Sequence, residues 1–305
     1  MSATLVDLAR RAAEQRTSTA RFQDGGQYRI EIPSVEGAET AALVLDQARQ
    51  RSVSVHRISQ GSGIALLTDE ELSNFARVGA ENDVEICLFV GSRAPWDGAS
   101  AAALTPDGRN VGWRHVGLRS LSSALDDVVR AVDHGIRSVL ISDEGLALLI
   151  GEAKVAGSLP ADLVVKASAL MGIANPVGAA ALARQGIDSL NIAGDTGLAE
   201  LAAFRAATDA FLDLYIEGPD GLGGFLRYGD IGEIVRLAAP VYLKFGLRNA
   251  PAMYPAGEHS MPLVRSTAIE RVRRASIGLE HLARQYADAI PSPVGSDRRG
   301  IPVVR

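Results

Sequence analysis

Only three of the 31 basic residues are lysines: Lys154, Lys166 and Lys244. The rest are arginines, so a retained lysine stands there either by chance or because a compact ammonium is needed. Lys166 sits in the run VVKAS and Lys244 in VYLKFG. An ammonium between apolar neighbours can polarise a carbonyl, hold an anion or form a Schiff base. Glu31 in RIEIP and Glu217 in FLDLYIE share that context and can move a proton. Asn191 in SLNIA adds a polar side chain of the same kind. Arg93 and Arg248 follow β-rich runs and offer bidentate forks for carboxylate or phosphate, with Asn249 beside the latter. Gln60-Gly61-Ser62 lies in a small-residue turn whose backbone N–H groups can form an anion nest. His56 is the one histidine of five expected near the same end of the molecule.

These residues need a scaffold, and the hydrophobic pattern supplies one. Eight β-rich runs recur at residues 29–33, 53–59, 84–91, 138–143, 163–168, 189–193, 211–217 and 241–246. Each precedes a helical pattern. A spacing of roughly 25 residues and the total length fit a (β/α)8 TIM barrel. Thr68 with Glu71, Thr267 with Glu270, and Asp230 with Glu233 read as capping boxes, and Asn175–Pro176 as a helix start. The expected organisation is an N-terminal helix and extension over 1–28, the barrel over 29–290, and an extended tail over 291–305. The gap after the third strand calls for a long loop between the third strand and the third barrel helix over residues 92–120. Both tryptophans, Trp96 and Trp113, fall in it, which suits either a lid over the barrel mouth or a surface excursion packed on the barrel.

Strand side chains alternate, and outward ones must meet apolar helices. That parity sends Glu31, Glu85, Lys166, Asn191, Glu217 and Lys244 inward. Strand 2 leaves His56 and Arg57 as alternatives, and strand 4 leaves Ser142 and Asp143. Strand 8 closes between strands 7 and 1, so Lys244 is expected between Glu217 and Glu31. Catalytic residues of such barrels come from the C-terminal ends of the strands.

Composition narrows the rest. The net charge of −5 and the absence of a basic block argue against nucleic acid. No apolar stretch suits a membrane span and no signal peptide is evident, so a cytoplasmic protein is expected. The single cysteine, Cys87, excludes an internal disulfide and an iron–sulfur cluster, and its mid-strand position suits an inert buried thiol. The histidines show no metal spacing. A divalent cation such as Mg²⁺ could use Glu31, Asp143, Glu144 or Glu217, but no spacing demands it.

The segments RIEIPSVEG, HRISQGSG, EICLFVG, VVKAS and YLKFGLRNAP resemble those of bacterial TIM-barrel proteins often labelled peptidase U32-like. The resemblance implies a barrel and admits a peptide or amide hydrolase. The residues themselves point to a lyase or isomerase acting on a small anionic carbonyl compound. A non-catalytic barrel whose tail drapes over a neighbour is the third reading. A symmetric homodimer is the base-rate expectation for assembly.

Overall fold

The computed structural model describes residues 4–91 and 113–304. Eight parallel strands close into a barrel in sequence order. They are β1 (Tyr28–Pro33), β2 (Arg57–Gln60), β3 (Glu85–Val90), β4 (Ser138–Ile141), β5 (Val164–Ala167), β6 (Ser189–Asn191), β7 (Phe211–Glu217) and β8 (Val241–Phe245). An N-terminal helix, α1 (Leu5–Glu14), precedes them. The outer ring comprises α2 (Ala38–Gln50), α3 (Asp69–Glu81), α4 (Gly117–Asp133), α5 (Glu144–Val155), α6 (Pro176–Arg184), α7 (Leu198–Ala207), α8 (Ile231–Ala238) and α9 (Met261–Gln285). The chain is therefore a (β/α)8 TIM barrel. No described helix is long and apolar enough to cross a membrane.

The barrel's main apolar core lies between strands and helices. Ile30 and Ile32 of β1, Ile86 and Leu88 of β3, and Leu243 and Phe245 of β8 all belong to it. Burial of these outward side chains fixes which face of each strand looks inward, because a one-residue slip would invert the whole set. Helix starts follow local chemistry. Thr68 and Glu71 form the expected capping box, and Asn175 caps α6 ahead of Pro176. Two caps differ from expectation. Thr267 lies inside α9, where its hydroxyl donates to the Leu263 and Val264 carbonyls. Asp230 starts α8 without capping it, because its carboxylate accepts from Arg227.

The N-terminal end of the barrel is sealed by the chain's own termini. Phe22 packs against Phe211 and Tyr242, and the Arg29 guanidinium lies 4.2 Å above the Phe22 ring. Arg29 also pairs with Asp24 and with Asp297 of the tail, at 2.8 Å each. The tail runs along this end of its own barrel. Pro291 bridges to Tyr28, Arg299 reaches Asp188 at 3.2 Å, and the Val303 N–H donates to the Gly135 carbonyl at 2.9 Å. Gly300 adopts φ +69°, and a Cβ there would lie 2.6 Å from Glu85, so the tail can lie this close only with glycine.

His56 belongs to this sealed end and not to the mouth. It precedes β2; its Nδ1 accepts from the Ile30 N–H at 3.0 Å and its Nε2 contacts the Ser292 carbonyl at 2.8 Å. The ring is therefore the neutral Nε2–H tautomer. Burial pushes its pKa down from 6.5 to about 4. Between those values the unfolded chain binds a proton that the fold refuses. The stabilisation is complete above pH 6.5 and is lost as pH falls through 4. The shift predicts a loss of about 2 kcal/mol between pH 7 and pH 5. Urea unfolding at the two pH values checks this, and His56→Gln should flatten the dependence.

Candidate active site in the barrel mouth

Inward side chains stack in tiers of four from alternate strands, as the parallel registers require. The lower tier holds Arg57, Ser138, Ser189 and Tyr242. The middle tier holds Glu31, Cys87, Lys166 and Asp213. The upper tier holds Ser59, Leu140, Asn191 and Lys244. Phe89 and Tyr215 stand above it at the rim.

The two lower tiers form one buried ionic network. Arg57 lies 2.7 Å from Glu85, 3.0 Å from Asp213 and 3.2 Å from Glu31. Its guanidinium also lies 3.5 Å above the Tyr242 ring. Lys166 pairs with Glu31 and, at 2.7 Å, with Asp213. Serines complete the shell: Ser59 donates to Glu31, Ser189 to Asp213 and Ser138 to Glu85. Arg57, Lys166 and Lys244 thus balance Glu31, Glu85 and Asp213. Burial alone would raise the Glu31 pKa, but the cations of Lys166, Lys244 and Arg57 outweigh it and hold the carboxyl far below the usual range. Arg57 is correspondingly held in its charged form. Burial pushes the Cys87 thiol up to about 11, so it stays protonated and unreactive.

Lys244 differs from Lys166. Lys166 is fully buried between two carboxylates. Lys244 stands one tier higher, with one carboxylate oxygen of Glu31 at 3.2 Å and its ammonium on the face of the Tyr215 ring, 4.4 Å from the centroid. An ammonium has three donors, so this leaves donors uncommitted. Asn191, in the same tier, is 2% exposed and its Oδ1 has no hydrogen-bond partner. Buried amides are normally satisfied, so an orphaned acceptor at the mouth is a sign of a ligand position.

Other expected site residues are placed differently. Glu217 does not flank Lys244. A register shift between Tyr215 and Glu217 breaks the two-residue alternation, so Tyr215 pairs with Lys244 and Glu217 with outward-facing Phe245. Its carboxylate accepts from the Tyr228 hydroxyl at 2.6 Å and the Arg248 N–H at 2.9 Å, and lies 3.6 Å from Arg274. The nest after β2 is already filled. The Gly61 and Ser62 N–H groups donate to Glu36 at 2.8 and 3.2 Å. The Gln60 amide folds back onto Gly63. A Cβ on Gly61 would lie 2.5 Å from the Tyr254 ring, so only glycine admits that ring. The loop after β8 is likewise engaged: the Arg248 side chain and the Asn249 N–H both hold Asp220. Arg248 is half exposed there. Arg93 and Trp96 lie outside the described residues. Trp113 accepts from Ser142 at 2.5 Å, and Arg114 donates to the Ser142 carbonyl at 2.9 Å, so the returning chain rests on the end of β4.

Of the carboxylates considered for a cation, Asp143 caps α5, Glu144 pairs with Arg114, and Glu31 and Glu217 face opposite layers. Among the described residues no group of three or more metal-ligating side chains comes together.

Arg271 is a buried mouth cation that strand parity could not find. It reaches in from α9, is 4% exposed, and contacts the Ser34 carbonyl and Thr267 Oγ1 at 3.3 Å each. Its position on α9 is nevertheless a signal. Val264, Thr267, Ala268, Val272 and Ala275 form the buried stripe of that helix, and an arginine within such a stripe requires a reason.

No protein-family model and no curated protein matches the chain. Solved structures of similar fold include a U32 peptidase, at 18% identity and a TM-score of 0.43, over 65% of this chain and 73% of that one. A truncated 3-deoxy-D-arabino-heptulosonate 7-phosphate synthase from Thermotoga maritima is 13% identical with a TM-score of 0.49, over 92% and 97%. A thiamine phosphate pyrophosphorylase from Pyrococcus furiosus is 13% identical with a TM-score of 0.44, over 84% and 98%.

Proposed function

We propose that the protein is an enzyme, a lyase or isomerase, acting on a small anionic carbonyl compound in the C-terminal mouth of the barrel. The observation that carries this reading is the Lys244 ammonium: it stands in the uppermost tier, with uncommitted donors, beside an amide acceptor that nothing in the described chain satisfies. Such an ammonium donates to a carbonyl oxygen and stabilises the negative charge that grows there as a bond to the neighbouring carbon breaks. Ionised Glu31, 3.2 Å away, holds that ammonium in place. Lys166, a tier below, positions Glu31 and does not meet the substrate. Asn191 Oδ1 accepts from a hydroxyl or enol of the substrate. Glu217 has no part in this scheme, because its carboxylate is engaged by Tyr228, Arg248 and Arg274. A metal-dependent hydrolase would need carboxylates converging on one point, and Glu31, Asp143, Glu144 and Glu217 are dispersed.

Isotope exchange tests this whatever the product is. The protein is incubated in D₂O with a panel of 2-oxo acids and keto phosphates, and proton NMR follows the hydrogens next to the carbonyl. Accelerated wash-out, cleavage or isomerisation of one class is expected. No acceleration with any panel member would overturn the reading in favour of a non-catalytic barrel.

A further inference from the structure

The Arg271 guanidinium has an edge that no described residue engages with an oxygen. Its Nε has no hydrogen-bond partner, and its Nη2 meets only the Met253 thioether sulfur, at 3.7 Å. Nη1 makes the two long contacts with Ser34 and Thr267. Nε and Nη2 together form the side-on edge by which an arginine grips both oxygens of a planar carboxylate. No carboxylate of the described chain lies within ion-pair distance of it. Its neighbour Arg274, one helical turn nearer the C-terminus of α9, pairs with both Glu217 and Glu270. Burial disfavours the charge of Arg271 more than Tyr254, Tyr215, Glu36 and Glu217 together favour it. A buried cation without a bound anion is costly and calls for one.

Its position identifies what that anion is attached to. Ser34 follows β1 and Met253 follows β8, so Arg271 lies over the seam between the strands that carry Glu31 and Lys244. Tyr215 links the two cations: its ring faces the Lys244 ammonium, and its phenol is within electrostatic reach of Arg271. The loops after β7 and β8, which often serve phosphate in such barrels, and the nest after β2 are instead closed by Glu217, Asp220 and Glu36. We infer that Arg271 is the substrate's carboxylate anchor, and that the site takes 2-oxo monocarboxylates, carboxylate on Arg271 and carbonyl oxygen toward Lys244. This rests on the Lys244 reading for the carbonyl end only.

Titration calorimetry with pyruvate, its methyl ester and inorganic phosphate tests the inference. Wild-type protein should bind pyruvate and discriminate against the ester and phosphate by at least about tenfold. Arg271→Gln and Arg271→Lys should each weaken pyruvate about 10- to 100-fold, since neither offers the side-on edge. Circular dichroism confirms folding. If Arg271→Gln does not fold, Arg271→Lys and the wild-type ester comparison decide the matter alone. Equal binding of acid and ester, no binding of pyruvate, preference for phosphate, or wild-type affinity in Arg271→Lys would each overturn it. Discrimination between acid and ester should survive in Lys244→Met. That arm separates the two ideas, because isotope exchange can fail while carboxylate binding holds, and the reverse.

Discussion

Arg57→Met should cost this protein about 3–5 kcal/mol of stability, or prevent it from folding at all. The guanidinium is 1% exposed and is the common partner of Glu31, Glu85 and Asp213. Removing it leaves three buried carboxylates facing two ammonium groups. Two charges taken out of water gain little as a pair, but one left alone keeps the full desolvation penalty. Urea unfolding measures the loss. The double variant Arg57→Met/Glu85→Gln removes one charge of each sign and should recover a large part of it. Residue 85 would then keep its bonds with Ser138 and Tyr242 in altered form. A single-variant cost below about 1 kcal/mol would show that water or a proton compensates the network instead.

The second large effect separates two lysines that look alike in sequence. Lys244→Met should lower turnover of the true substrate about 10²–10³-fold, the usual consequence of losing one preorganised donor at a developing oxyanion. Its effect on stability should be small, because Glu31 keeps Arg57, Lys166 and Ser59. Lys166→Met should do the opposite at the level of folding. Its ammonium is fully buried between Glu31 and Asp213, so its loss should cost several kcal/mol, as for Arg57. Thermal unfolding and the exchange assay on both variants check the contrast. Equal losses of turnover at full stability would place Lys166 among the residues that touch substrate.

The tiers explain that contrast, and they show how far strand parity reaches. Apolar residues at every second position pin Glu31, Lys166, Asn191 and Lys244 to the inner face, because the helices bury the other face. The same rule picks Arg57 over His56 once Ile58 is seen to lie in the outer core. The rule fails at Glu217, where a shift in the ladder after Tyr215 turns the last residue of β7 outward. A bulge of this kind costs little at a strand end and leaves no mark in the hydrophobic pattern. The rule is silent on Arg271, which comes from a helix. Only the interruption of the apolar stripe of α9 could have marked it, and strand parity does not read helices.

The sequence by itself determined the (β/α)8 barrel, the inner face of most strands and the concentration of lysine and glutamate within it. These follow from local periodicity, which acts over a few residues and is imposed by burial. The tertiary structure alone decided the partners. It set Lys166 in a closed network and left Lys244 with donors to spare. It filled the backbone nests with Glu36, Glu217 and Asp220, and folded the tail back under its own barrel at His56. Those outcomes depend on which groups meet across large sequence separations. Charge pairing of that kind is fixed by distance and desolvation in the closed barrel, and no local pattern encodes it.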